Sequence, residues 1–220
     1  MQNPYWPLFD LRIRTSRVEI RLPNDDDLVN LAQLALKGIH DPATMPFLHP
    51  WTDEPSPQLE RGVMKWGWRH RAEWSPNDWS FNGAVFVNDQ VVGVQSLMAN
   101  DFAELRAVKT GSWLGLAHQG QGLGREMRSA ILHFAFETLG AVEAHSGGFI
   151  DNGSSLKVSR LLGYEDNGHR TVLRRGAPSE LIELRLDRST WERMEHSTVE
   201  ISGFEACQEF FVVPRDVNGS

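Results

Sequence analysis

The segment His118-Gln119-Gly120-Gln121-Gly122-Leu123-Gly124-Arg125 constrains this chain more than any other. Its glycines stand between an apolar run, Arg106 to Leu116, that reads as a strand, and Leu123 to Thr138, the clearest helix in the sequence. In that helix Met127, Ala130, Ile131, Phe134, Ala135 and Thr138 fall on one face. A glycine-rich strand-to-helix turn exposes several backbone N–H groups at a helix N-terminus, where the helix dipole also favours negative charge. That makes a site for phosphate or pyrophosphate; the alternative use of such glycines is tight packing alone. A Walker A loop is excluded, because it needs Gly-Lys followed by Ser or Thr, and here Gly124 precedes Arg125 and Glu126. A Rossmann fingerprint is excluded as well, since its third glycine or alanine would fall at Arg125.

The rest of the chain frames this turn. Asp10 to Arg14 and Val18 to Leu22 read as short strands, and Pro23-Asn24-Asp25-Asp26-Asp27 opens a helix with its acidic residues in the first turn. His40 to Pro57 is rich in proline and aromatic residues and too irregular for a regular element, and a second helix is expected over Pro57 to Glu73. Phe81 to Val87 and Gln90 to Met98 flank Asn88-Asp89, a hairpin signal. After the glycine turn and its helix come a strand over Ala141 to Ile150, a helix over Ser154 to Leu162, and closing strands over Thr171 to Arg174 and Leu181 to Leu186. The order predicts an α/β fold around one mixed sheet. Residues 1–190 form the expected domain, and 191–220 an extension whose Trp191, Phe204, Phe210 and Phe211 would pack on that domain or on a second subunit of a dimer.

Composition narrows the function class. The net charge of −7 argues against nucleic acid and suits an amine-bearing substrate. No run is apolar enough to cross a membrane, the N-terminus carries no signal-peptide pattern, and Cys207 is the only cysteine. A cytoplasmic protein is the expectation. The histidines lack His-Glu-x-x-His or comparable spacing, so no metal site is expected.

Gln119-x-x-Gly122-x-Gly124 at a strand-to-helix junction resembles the acyl-CoA pyrophosphate motif of the GNAT superfamily of N-acyltransferases. Downstream, Asp151-Asn152-Gly153-Ser154-Ser155 leads through Val158-Ser159-Arg160 to Leu162-Gly163-Tyr164. That run is similar to the Asn-x-x-Ser … Gly-aromatic segment of the RimJ/RimL branch, which acetylates protein N-termini. The loop His40-Asp41-Pro42 … Met45-Pro46-Phe47 … Pro50-Trp51 is similar to actinobacterial members.

The resemblance implies a GNAT-type mixed central β-sheet flanked by helices, with splayed fourth and fifth strands, here Arg106 to Leu116 and Ala141 to Ile150, and the arm of coenzyme A in the gap. It implies that backbone groups of Leu114, Gly115 and Leu116 pair with the pantetheine. It further implies that Gln119, Gly120, Gln121, Gly122, Leu123 and Gly124 hold the pyrophosphate, with Arg125 an added cation. Ser155 would hydrogen-bond the leaving sulfur as the catalytic residue, and Asn152 would contact the pantetheine; Asn and Ser before a helix are also ordinary caps. His49, Trp51 and Ser112 are candidate acceptor-site residues. The expected reaction moves an acetyl group, or a larger acidic group such as succinyl, from acyl-CoA to a primary amine: a protein N-terminus, or a small amine such as a polyamine. One departure stands out, because Trp113-Leu114-Gly115-Leu116-Ala117 carries no carboxylate where related enzymes often place a base. That keeps open a catalytically weak acyl-CoA-binding or sensing protein; Asp101, Glu104, His118 and Ser112 are the nearest alternatives for a base.

Overall fold

Each element begins where its local chemistry allows. The computed structural model describes residues 3–211. Strands β1 (Arg12–Arg14) and β2 (Glu19–Arg21) lead to helix α1 (Asp25–Leu36). Asn24 opens α1 with a reciprocal cap: Asp27 N–H donates to the Asn24 side chain at 2.8 Å, and Asn24 N–H to the Asp27 carboxylate at 3.1 Å. Helix α2 (Gln58–Ala72) follows the irregular loop, then β3 (Asp78–Val87) and β4 (Gln90–Asn100) pair across Asn88 and Asp89, whose φ values of 49° and 62° make the tight hairpin. A one-turn helix α3 (Phe102–Leu105), absent from the sequence expectation, joins β4 to β5 (Ala107–Leu114). After the glycine turn comes α4 (Leu123–His133), which ends in a π-helical turn over Phe134–Thr138. Strand β6 (Glu143–Phe149), helix α5 (Gly153–Leu161) and strands β7 (Glu165–Arg174) and β8 (Ala177–Asp187) complete the centre. The chain closes with α6 (Arg188–Glu192), β9 (Glu200–Ser202) and α7 (Phe204–Cys207).

The strands form one open sheet in the order β7-β8-β6-β5-β4-β3-β2-β1-β9. The β5–β6 pair is parallel and every other described pair is antiparallel. Helices α1 and α2 cover one face with Leu28, Leu31, Leu59 and Val63, meeting Ala84, Phe86 and Val94 of the sheet. On the other face α4 buries Met127, Ile131 and Phe134 against Phe81, Leu97 and Val108. Strand alternation therefore assigns β5 side chains by parity: Val108 and Leu114 face α4, whereas Trp113 joins the α1–α2 side.

The closing hairpin is longer than the sequence suggests, because Arg175 and Gly176, at φ 48° and 77°, turn β7 directly into β8. Two tryptophans are not core: Trp66 and Trp68 are 40% and 46% exposed on α2. The final segment packs on its own chain. Strand β9 pairs with β1, and Phe211 is fully buried against Trp74, Trp79, Phe134 and Phe204. Phe211→Ala is expected to lower the unfolding free energy by about 3–5 kcal/mol in a denaturant titration, as for other large-to-small changes in a core. A loss under about 1 kcal/mol would mean that this ring adds little to the core.

Candidate active site

The site is created where one strand ladder stops. Strands β5 and β6 are in register at Ala107–Glu143, Val108–Ala144 and Lys109–His145, and no further. Beyond that only hydroxyls reach across: Thr110 Oγ1 donates to His145 C=O and Ser146 Oγ to Thr110 C=O, each at 3.4 Å. From there the two strands diverge, β5 running on to Leu114 beside β4 and β6 to Phe149 beside β8. Gly115 N–H donates to Val92 C=O at 3.0 Å, so odd-numbered backbone groups here face β4. By alternation the N–H and C=O of Ser112 face the gap.

At the open end of the gap lies the glycine turn. Gly120 and Gly122 have φ of +73° and +79°, a conformation natural only to glycine. A Cβ on Gly120 would meet nothing within 4 Å, so the surface above the turn is open. Gly122 is the N-cap of α4 and no side chain caps the helix, which leaves the first N–H groups, including Leu123 and Gly124, free for an external acceptor. Those residues fit an anionic group. Gln119 is used differently: its N–H donates to Leu116 C=O at 3.2 Å, and its side-chain amide braces Ile39 and Leu114 C=O at 2.6 and 2.8 Å. Leu116 N–H donates to Gly38 C=O at 3.0 Å, so Leu116 and Gly115 spend their N–H groups within the protein. Arg125 is exposed beside the turn. Arg17, which sequence reasoning missed, comes from the β1–β2 connection to donate to Gln121 C=O at 3.2 Å while paired with Glu126.

On the opposite lip, Asn152 caps α5: its Oδ1 accepts from Ser155 N–H at 3.3 Å and Ser154 Oγ at 3.2 Å. The Ser155 hydroxyl is half-buried and, among the described residues, makes no hydrogen bond, so it remains available to a ligand. Asp151 is held by both terminal nitrogens of Arg174, and Nη1 also donates to Met45 C=O at 2.8 Å, tying the lip to the His40–Trp51 loop.

Across the sheet from α4 is a cavity of about 630 Å³ reaching Gly111, Ser112 and Trp113. Trp51, packed on Phe47 and Trp113 with ring centroids 5.3 and 5.9 Å apart, forms one wall, and His49 also lines it. At its floor Ser96 Oγ donates to Asn82 Oδ1 at 2.6 Å. Glu54 is the one carboxylate in the described lining, which also holds Lys65, Arg69 and Arg71, the two arginines paired with Glu73 and Asp25. Lys109 is exposed on the still-paired part of β5 and does not line it. Asp101 and Glu104 flank the start of β5, at the end away from the glycine turn, and His118 lies in the short turn after β5.

Ser112 is shared between the two faces. Its hydroxyl accepts from Arg128 Nη2 at 2.8 Å, and Arg128 Nη1 donates to Ser159 Oγ of α5 at 2.7 Å. Arg128 is only 4% exposed. Its sequence signal was its place on the inner side of α4, between Leu123 and Ile131, both buried. Among the described residues no cluster of three or more His, Cys, Asp or Glu side chains could hold a metal, and no helix is long and apolar enough to cross a membrane.

An open mixed sheet parted in this way, with a glycine turn at the head of the helix beneath it, is the architecture of acyl-CoA-dependent N-acyltransferases. The chain belongs to the GNAT acetyltransferase family: residues 17–165 match the acetyltransferase (GNAT) domain. Solved structures share the fold at low identity. A ribosomal-protein-alanine acetyltransferase from Vibrio fischeri aligns at TM-score 0.63 and 18% identity, over 82% of this chain and 98% of its own. RimL, a ribosomal-protein α-N-acetyltransferase solved with coenzyme A, aligns at 0.62 and 18%, over 79% and 95%. A spermidine N-acetyltransferase chimera of Vibrio cholerae SpeG and hSSAT aligns at 0.65 and 14%, over 81% and 100%.

Gly124 gives a clean test of the turn, because its added Cβ would find its nearest neighbour, Leu114 Cδ1, at an ordinary 3.7 Å. Gly124→Asp should fold at least as stably as wild type, since a carboxylate in the first turn of a helix complements the dipole. Coenzyme A at a hundred times its Kd should raise the wild-type Tm by about 5–11 °C, and the Asp variant should lose most of that shift. An undiminished shift would place the pyrophosphate elsewhere.

Proposed function

We propose that the protein transfers an acetyl group from coenzyme A to a primary amine, with the α-amino end of a protein or peptide as acceptor. The observation that carries this reading is the gap between β5 and β6. It has the uncapped glycine turn at one end and the aromatic-walled cavity on the other face, meeting at Ser112. An acyl-CoA laid in the gap would present its pyrophosphate to the N–H groups of Gly120 to Gly124. Its arm would pair with the open edge of β5 at Ser112 and Leu114 and with the Asn152 side of α5, and its thioester would face the cavity. Ser112 N–H would donate to the carbonyl as it becomes an oxyanion. The free Ser155 hydroxyl would donate to the leaving sulfur.

The acceptor follows from chemistry. An α-amino group, with a pKa of about 7.7–8.0, is partly neutral near pH 7, whereas a lysine amine at about 10.4 is not. That reduces what a base must do, and Glu54, His49 and His70 are the groups in the described lining able to take a proton. The cavity's charges give a polyamine no excess of carboxylate, because Arg69 and Arg71 are paired with Glu73 and Asp25, and Lys65 offsets Glu54. A second reading, an acidic donor such as succinyl-CoA, is favoured by Lys65, which lines the cavity and makes no ion pair among the described residues.

Two measurements test these readings. Release of free coenzyme A thiol should be faster with Ala- or Ser-ended peptides than with spermidine by about tenfold or more in kcat/KM, because an α-amino group is far more often neutral near pH 7 than an alkyl amine. A preference for spermidine would reverse the acceptor assignment. Burial pushes the Cys207 thiol up to about 12, so it will not compete in a thiol-reagent assay. Ser155→Ala should lower kcat by about 10²-fold or more with little change in the KM for acyl-CoA. Wild-type rates would leave Ser155 a helix residue only, and a kcat/KM favouring succinyl-CoA that Lys65→Ala abolishes would establish the acidic donor.

A further inference from the structure

The cluster beneath the gap contains a charge with no counterpart. Arg128 is 4% exposed, its two terminal nitrogens are held by the neutral hydroxyls of Ser112 and Ser159, and its Nε has no acceptor among the described residues. The one titratable group whose charge acts on it is Tyr164, itself bound to Thr110 Oγ1 at 3.1 Å. Burial lowers the Arg128 guanidinium from its ordinary pKa, which is the signature of a cation held without an anion. An uncompensated buried charge is costly, and a methionine would fill the same space more stably. Nothing in the packing of α4 calls for a guanidinium here.

Its position says what the charge faces. Ser112 turns its backbone N–H and C=O to the gap and its hydroxyl to Arg128, while Ser159 stands one turn beyond Ser155 on α5 and donates to Ser155 C=O at 3.1 Å. The guanidinium therefore bridges from one lip of the gap to the helix behind the other. An acyl donor brings two charges to such a gap. The pyrophosphate is met by the glycine turn. The other forms during reaction: the amine nitrogen bonds to the thioester carbon, the C–S bond breaks, its electron pair goes to sulfur, and the ammonium proton passes to solvent.

We propose that Arg128 is the fixed positive charge that stabilises the coenzyme A thiolate as the acyl group leaves. The assignment rests on acyl-CoA occupying the gap as above. The neutral thioester leaves Arg128 unpaired and the thiolate pairs with it, so the interaction grows only as the C–S bond breaks and appears in kcat. Ser155 and Arg128 divide the work: the hydroxyl supplies a hydrogen bond to sulfur, and the guanidinium supplies the field.

The test uses the whole protein with free coenzyme A, following thiolate absorbance against pH. In wild type the bound thiol should titrate below the free thiol, and in Arg128→Met its pKa should rise by about one to two units. Arg128→Met should fold with an unreduced Tm and lose about 10²-fold or more in kcat with acetyl-CoA, with KM little changed. Arg128→Lys keeps the charge without the fork and should keep the lowered thiol pKa; if it instead behaves like Arg128→Met, Arg128 is only a strut and the proposal falls. An unshifted thiol in bound coenzyme A, unchanged by Arg128→Met, overturns the role of Arg128 alone. Failure of wild type to bind coenzyme A overturns the acyltransferase reading beneath it. A loss confined to succinyl-CoA would make Arg128 a receptor for an acyl carboxylate and overturn the thiolate assignment.

Discussion

The proposed function rests on a β-ladder that stops early. A parallel pair three residues long joins the two halves of the sheet, and the groups proposed to meet acyl-CoA lie beyond its end. Once β5 and β6 part, each leaves an edge of unpaired backbone groups. Elsewhere such an edge is a liability; in the proposed function it is the template for an extended ligand. The divergence is maintained because each strand is fully paired on its other side, β5 with β4 and β6 with β8. The hydroxyls of Thr110 and Ser146 finish the junction where amides can no longer reach.

Around that gap the protein separates its electrostatic tasks by face. The glycine turn and its two arginines lie at the solvent end, where a doubly charged group can be met without burying it. The aromatic cavity lies on the α1–α2 face, where Trp51 and Trp113 pack together in its wall. Arg128 lies on the α4 face, dry and held by two serines, where a single charge acts at low dielectric. Ser112 joins all three, through its backbone to the gap, its hydroxyl to Arg128, and its place in the cavity wall.

The last part of the described chain contributes to the same frame. Strand β9 extends the sheet beyond β1, and Phe211 fills the space among Trp74, Trp79 and Phe134 on the face that α4 covers. Trp191 is buried against Phe136 and donates to Glu137 at 2.7 Å, holding the π-helical end of α4. The helix carrying Gly124 and Arg128 is thus anchored at its far end by residues outside the matched domain.

The sequence by itself determined whatever depends on neighbours along the chain. The glycine-rich turn before a helix marks an anion site, Pro23 to Asp27 opens α1 with acidic residues in its first turn, Asn88-Asp89 closes a hairpin, and the apolar stripe of α4 sets which face is buried. Each rests on spacing within a turn or two, so each was legible, and the family motif followed from the same local signals. The tertiary structure alone decided the groups that meet from distant elements. Arg17 reaches the glycine turn from the β1–β2 connection, and Asn82 meets Ser96 across the hairpin to floor the cavity. Gln119 turns inward to brace Ile39 and Leu114. Arg128 reads in sequence as a basic residue near the inner side of α4, with nothing to show what it meets. Only the convergence of Ser112 and Ser159 on it, with no carboxylate beside it, makes it a buried cation, because burial and pairing are properties of the packed chain and not of its spacing.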